Sequence, residues 1–186
     1  MTHERGLSTA AVGAVTSIAM TRVETMTPRT PVPEPGDALR QLVAAIPAGG
    51  TALEIASGPG QDAEVLEAQG ITVLRADVTT EDLGGPYDAV LALAVLQHVE
   101  REQLPDVLGR VAGALRPGGV FLLSVRVGDG EQWEVGDSGN PYFTVLWREP
   151  DLCDLLEDAD LDLVWRAEAE DSEESHWLTF LVRRGR

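Results

Sequence analysis

The chain contains no lysine: all fourteen of its basic residues are arginines. Schiff-base chemistry and a phosphate-loop lysine are therefore excluded. A single cysteine, Cys153, cannot form an internal disulfide, and one Cys with three His leaves little from which to build a structural zinc site. A basic excess is missing too. The 31 acidic residues give a net charge of −17, so nothing is available to release phosphate counterions and nucleic acid is not an expected partner. Anionic membrane surfaces are disfavoured for the same reason. No run approaches the roughly 20 apolar residues that span a bilayer. What remains is an acidic chain of 186 residues, 44% of them hydrophobic. That suffices for one domain with a sizeable core, and not for two of ordinary size. The expectation is a cytoplasmic domain acting on a small molecule or another protein.

The first 35 residues differ from the rest. Residues 1–26 are rich in Ala, Thr, Ser and Val, and 27–36 (TPRTPVPEPG) carry four prolines, as an extended linker does. Residues 10–20 (AAVGAVTSIAM) are mildly apolar. Thr and Ser interrupt that run and residues 2–5 are not strongly positive, so a flexible leader fits better than a secretory signal. Residues 36–186 are expected to form the folded domain.

Within it, Leu39, Leu42, Val43 and Ile46 mark one face of a short helix that Asp37 can cap. Residues 51–56 (TALEIA) read as a buried strand. A Gly-Pro-Gly turn then leads into a helix over 61–69, ended by Gly70. Residues 71–75 (ITVLR) are a β-branched strand closed by Asp77. After a polar loop, 87–93 (YDAVLAL) form a near-continuous apolar run suited to a central parallel strand. Leu104, Val107, Leu108, Val111 and Leu115 make the clearest helical stripe, broken by Pro117-Gly118-Gly119. Residues 120–125 (VFLLSV) are again a buried strand, followed by a Gly- and Asp-rich loop over 128–141. Leu152, Leu155, Leu156 and Ala159 mark a last helix. Strands over 161–167 and 177–183 close the chain around an acidic loop. Strands alternating with helices predict a doubly wound, mostly parallel α/β sheet with right-handed crossovers. The final pair, joined only by a polar loop, predicts an antiparallel hairpin.

In open α/β sheets, ligands sit beyond the carboxyl ends of the strands where the strand order reverses. The turn 56–62 (ASGPGQD) lies between the first strand and a helix, where glycines allow close backbone approach and the helix offers unpaired N–H groups. Gly58-x-Gly60-x-x-Ala63 also satisfies the dinucleotide fingerprint in letter, with Asp77 placed to accept from a ribose diol. A tight turn without a ligand remains open on these residues alone.

Three segments add to the turn: 53–63 (LEIASGPGQDA), 84–99 (GGPYDAVLALAVLQHV) and 104–125 (LPDVLGRVAGALRPGGVFLLSV). In this order, from about residue 39 to 184, the chain resembles the class I S-adenosylmethionine-dependent methyltransferases. The resemblance implies a Rossmann-like fold, S-adenosylmethionine as cofactor and methyl transfer to a small molecule. It implies that Glu54, Ala56, Ser57, Gly58 and Gly60 hold the amino-acid end of the cofactor. Asp62 would lie at the start of the following helix near the cofactor, and Asp77 would bind the ribose or flank the adenine. Ala92 and Leu93 would lie beside the methionine moiety, and His98 near the transferred methyl.

The sequence departs from that family twice. Ala56 stands where glycine is usual and puts a methyl group where the cofactor's methionine part passes. More importantly, only 27 residues separate Gly60 from Asp88. A helix and a strand use most of them, and a further βαβ passage of roughly 30 residues does not fit. One strand must stand for the family's second and third. Residues 78–87, extended, reach roughly 33 Å, enough to return one strand length and move sideways by two strands. The sheet should then have six strands. One face near residues 71–74 should lose its covering helix, to be covered instead by the leader or by a second subunit in a homodimer.

His98 is the candidate general base, since imidazole titrates near neutrality; capping a helix beginning near Glu100, or packing under the loop, are the other readings. Arg126, at the end of the 120–125 strand, is placed to pair with an acidic substrate group or with one of the chain's own carboxylates. Trp133, Tyr142, Phe143 and Trp147 form either an aromatic substrate wall or packing for the last helix. The functional alternatives are a methyltransferase-like protein that only binds, cyclises or rearranges a small molecule, and a nicotinamide-dependent oxidoreductase supported by the glycine turn alone.

Overall fold

The computed structural model describes residues 36–55, 61–79, 82–136, 139–172 and 175–186. The leader reading therefore lies outside the described residues, as do Ala56, Ser57, Gly58 and Gly60 of the glycine turn.

Helix α1 (Gly36–Ala45) precedes strand β1 (Thr51–Ile55), helix α2 (Gln61–Ala68) and strand β2 (Thr72–Ala76). Strand β3 (Tyr87–Ala92), a 3-10 turn at Leu96–His98, helix α3 (Leu104–Ala114) and strand β4 (Leu115–Arg126) follow. Strands β5 (Glu131–Val135) and β6 (Pro141–Val145), helix α4 (Glu149–Asp158) and strands β7 (Leu161–Ser172) and β8 (Ser175–Arg184) complete the fold. Strands pair in the order β2-β1-β3-β4-β8-β7. The first four are parallel, β8 is antiparallel to β4, and β7 to β8. This is the six-stranded sheet with a terminal antiparallel hairpin that counting predicts.

The alternation of side chains along each strand divides the core in two. Leu53, Val90, Phe121 and Leu123 pack with Val107, Leu108 and Val111 of α3 and Leu152 and Leu156 of α4. Their neighbours Ala52, Ala89, Leu91 and Leu122 pack with Leu39 and Leu42 of α1 and Leu66 of α2. Covered on both faces, β3 is buried at all six residues, and Asp88 is its one charged position.

Helix α3 stops at Ala114, before the Pro-Gly-Gly element predicted to break it, because Leu115 already pairs with Tyr87. The ladder then resumes at Ala89 and Val120, so Arg116–Gly119 bulge out of it. Gly118 lies at φ +78°, and a Cβ on Gly119 would come within 2.9 Å of the Arg116 carbonyl oxygen, so the two glycines are required by the bulge. Arg116 and the Thr51 N–H (2.8 Å) both bind the buried Asp88 carboxylate at the amino end of the sheet. The aspartate of the YDAV strand is thus a structural tie.

Among the described residues no helix intervenes between β2 and β3. On the two sides of this connection Arg110 donates to the Val78 carbonyl (3.2 Å) and Tyr87 Oη to the Leu83 carbonyl (3.0 Å). Leu74, in register with core residue Leu53, is left 45% exposed at the sheet edge. That is the uncovered face the short connection predicts.

Candidate functional site

The strand order reverses between β1 and β3, so the crevice beyond their carboxyl ends is where this architecture places a ligand. Glu54 stands there, 4% exposed. Its carboxylate accepts from the Ala63 backbone N–H in the first turn of α2 and from Arg75 Nε at 3.3 Å, its register partner on β2. Burial, and next the neighbouring Asp62, push the Glu54 pKa above the ordinary carboxylate value, outweighing Arg75 and the Ala63 N–H. Asp62 is itself buried, in the first turn of α2. Arg75 is shared with Glu67 at 3.7 Å.

This arrangement tests the two cofactor chemistries. A pyrophosphate needs the free N–H groups of a helix N-terminus. Here a carboxylate already takes one of them, and a second acid adjoins it, so a pyrophosphate would meet negative charge at close range. An ammonium or sulfonium meets complementary charge instead. The residues present fit S-adenosylmethionine and disfavour a dinucleotide.

The carboxyl end of β3 leads through a sharp turn to His98. Ala92 is fully buried, and Leu93 is half-buried against the α1/α2 side of the core. Ala94 adopts φ +55°, a left-handed conformation that costs a non-glycine residue about 1 kcal/mol or more. Two hydrogen bonds hold it: its N–H donates to Oγ of the buried Ser124 on β4 (2.8 Å), and its carbonyl accepts from Gln97 Nε2 (2.8 Å). The 3-10 turn that follows carries His98 to the surface. The capping reading of His98 is corrected: α3 starts at Leu104 with Gln103 as its N-cap residue. His98 Nδ1 instead lies 2.8 Å from the Phe143 carbonyl oxygen, and its ring meets Tyr142 edge-on at 5.8 Å.

Phe143 and Tyr142 lie on β6, which pairs antiparallel with β5 in a separate two-stranded sheet. Residues 128–141 are therefore not merely a loop, as the sequence reading had them. One face of this hairpin carries Glu134, which Arg126, Tyr142 Oη and Gln132 all bind. Burial raises the Glu134 pKa, but those hydrogen bonds outweigh it and hold the carboxyl below its ordinary range. Arg126 is thus committed to an internal carboxylate. On the other face Trp133 leans on Phe143 at 5.5 Å and stays 71% exposed. Trp147 does not join them. It is 1% exposed in the core, with the Arg101 guanidinium 4.1 Å over its ring, so packing is its role rather than a substrate wall.

Asp77 is exposed, and its Oδ1 accepts from the Thr79 N–H (2.8 Å) and hydroxyl (2.6 Å), which fixes the side chain at the end of β2. Sequence reasoning missed Ser124, Gln97 and Glu134. For Ser124 the signal was a lone hydroxyl inside an apolar strand. For Glu134 it was the alternation in EQWEV and PYFTV around a Gly/Ser/Asn-rich turn. Among the described residues no group of three or more His, Cys, Asp or Glu could hold a metal ion, and no helix is long and apolar enough to cross a membrane.

Comparison with known proteins agrees with this fold. Residues 31–165 match the methyltransferase domain family, well over half of the chain. No curated protein matches. Among solved structures, the chain is similar to a Burkholderia thailandensis 1,6-didemethyltoxoflavin N1-methyltransferase holding its substrate and S-adenosylhomocysteine, with TM-score 0.64 and 21% identity over 81% of this chain and 77% of that one. It is also similar to the CcbJ methyltransferase of Streptomyces caelestis, with TM-score 0.62 and 17% identity over 83% and 91% of the two chains. A third is the N-methyltransferase NodS of Bradyrhizobium japonicum, with TM-score 0.58 and 16% identity over 81% and 94%. At these identities the likenesses show the fold. The strand order, the acid-capped helix at the reversal of the sheet and the family match over most of the domain together establish that the chain belongs to the class I S-adenosylmethionine-dependent methyltransferase family.

Proposed function

We propose that the protein methylates a small-molecule acceptor at the carboxyl ends of β1, β3 and β4. The observation that carries this reading is the pair of buried carboxylates, Glu54 and Asp62, at the first turn of α2. S-adenosylmethionine supplies an electrophilic methyl group on a sulfonium that leaves as a neutral thioether. The chain's own residues bind, orient and move a proton. Glu54 and Asp62, with the turn Ala56, Ser57, Gly58 and Gly60, hold the amino-acid end, the two carboxylates facing its ammonium. Asp77 offers its remaining carboxylate oxygen to the ribose, and Ala92 and Leu93 line the methionine side. His98 takes the acceptor's proton. Trp133 and Tyr142 on the hairpin form the acceptor wall, with Arg126 acting through Glu134 to set it. Most of the gain comes from holding two reactants in line. The acidic composition and single cysteine support a cytoplasmic setting, and the small-molecule substrate named for the toxoflavin enzyme supports an acceptor of that size.

Calorimetry with S-adenosylhomocysteine, S-adenosylmethionine and NAD tests the reading. Micromolar affinity for the first two and silence towards NAD are expected. NAD binding without S-adenosylhomocysteine binding would overturn it. Asp77→Ala should weaken the nucleoside contact. Binding without thioether release across phenols, amines and heteroaromatic N–H compounds would favour the alternative in which the fold only binds or rearranges its ligand.

A further inference from the structure

The β5–β6 hairpin decides which nitrogen of His98 carries a lone pair. A carbonyl oxygen has no proton to give, so the 2.8 Å contact between His98 Nδ1 and the Phe143 carbonyl is a hydrogen bond only when Nδ1 holds the hydrogen. The other ring nitrogen faces an amide. Gln97 Nε2 lies 3.3 Å from His98 Nε2 and 2.8 Å from the Ala94 carbonyl oxygen. The second contact identifies the NH2 end of that amide, since turning it over would set oxygen against oxygen. An amide nitrogen only donates, so His98 Nε2 is the acceptor. Both contacts select one neutral tautomer, with hydrogen on Nδ1 and the lone pair on Nε2. Tyr142, set at 80° to the imidazole, fixes the ring plane. Arg126 and Tyr142, through Glu134, tie β5 to the end of β4 and to β6, and so hold the Phe143 carbonyl where the ring meets it.

We propose that this hairpin is a tautomer clamp. Through the Phe143 carbonyl it keeps the base lone pair of His98 on Nε2, and the acceptor is therefore a protic group, an N–H or O–H, that yields its proton to that nitrogen. The inference rests on the methyl-transfer reading for its acceptor class. In the step, a lone pair on the acceptor heteroatom forms the new bond to carbon. The carbon–sulfur bond breaks with its pair remaining on sulfur. The heteroatom's proton passes to Nε2, leaving an imidazolium that returns it to solvent. The 3.3 Å contact from Gln97 is long for a hydrogen bond, so a closer donor displaces it. Glu134 is a positioning residue: it reaches the reaction only through the carbonyl it helps to place.

The test is a long-range proton–nitrogen correlation on the full-length ¹⁵N-labelled protein at about pH 8, with the His98 signals assigned by their loss in His98→Asn. Nδ1 should show a protonated, pyrrole-type shift and Nε2 an unprotonated, pyridine-type shift. The reverse pattern, or fast averaging between the two, would overturn the clamp. Glu134→Gln should move the pattern towards averaging while leaving S-adenosylhomocysteine affinity within about twofold, and an unmoved pattern would remove Glu134 from the proposal. His98→Asn keeps a donor for the Phe143 carbonyl and loses the base. It should retain the melting temperature and lose roughly 100-fold or more in turnover with a protic acceptor; wild-type turnover would refute the proton transfer. The spectrum needs no cofactor. Failure of the clamp is therefore distinguishable from failure of methyl transfer, which S-adenosylhomocysteine calorimetry reads.

Discussion

Glu54→Gln separates the two duties of this side chain, because the change should move binding and stability in different directions. The variant keeps an oxygen for the Ala63 N–H and loses the charge. Two unit charges about 4 Å apart in surroundings of effective dielectric near 20 attract by about 4 kcal/mol. Desolvation of the incoming ammonium takes back part of that, and hydrogen bonds to charged groups retain about 1.5–3 kcal/mol. The dissociation constants of S-adenosylmethionine and S-adenosylhomocysteine should then rise roughly 10- to 150-fold. Stability runs the other way. Burial and Asp62 hold the folded-state pKa of Glu54 above its ordinary value, so the fold binds this proton more tightly than the unfolded chain does. The resulting stabilisation is complete below the unfolded pKa and is lost as pH rises through the folded one. At neutral pH the ionised carboxylate is therefore a cost that glutamine removes. It loses in exchange only the ion pair to the half-exposed Arg75, about 0–1 kcal/mol. The melting temperature should stay within about 2 °C of wild type or rise. Calorimetric titration and a thermal melt read both. Wild-type affinity combined with a markedly lower melting temperature would refute the reasoning and reduce Glu54 to a structural ion-pair partner of Arg75.

Ser124→Ala should cost about 1–3 kcal/mol in urea denaturation, since it strands the Ala94 N–H at a residue already in a strained conformation; a loss under about 0.5 kcal/mol would show that the turn holds without it. Glu134 has a lowered pKa, so its contribution is present above the unfolded value and lost as pH falls through the folded one. Acid unfolding of wild type should accordingly include a hairpin-loosening step, visible in Trp133 fluorescence and absent from Glu134→Gln. The two tryptophans should behave oppositely. Trp147→Ala should cost about 3–5 kcal/mol, and Trp133→Ala under about 0.5 kcal/mol while raising the KM for the acceptor. Residues 1–26 or a second copy are proposed to cover the half-exposed Leu74 face. Deleting them should lower solubility and melting temperature. No change in either, with light scattering showing a monomer, removes both versions.

Much of the candidate site was legible because its residues sit on elements with strong local signals. Glu54 lies next to the end of an apolar strand before a glycine turn, Asp62 lies in the first turn of the next helix, and His98 follows the most continuous apolar run in the chain. Their partners were not. Ser124 meets Ala94 across β3 and β4, and Phe143 meets His98 from 45 residues away, through a backbone carbonyl that no side-chain pattern encodes. The hairpin holding that carbonyl carries half-exposed and charged positions, and their weak alternation between glycine-rich flanks reads as a loop.

By itself the sequence determined the sheet. The period of its apolar residues set which elements are strands and helices. The 27 residues between Gly60 and Asp88 limited the sheet to six strands, because covalent reach and element length are local quantities. Tertiary structure decided which of two similar tryptophans is core and which is surface, that Arg126 answers to Glu134, and that His98 Nδ1 meets the Phe143 carbonyl. Burial, ion pairing and tautomer depend on what another part of the chain brings within about 3 Å, and that is settled only when the hairpin closes against the carboxyl ends of β3 and β4.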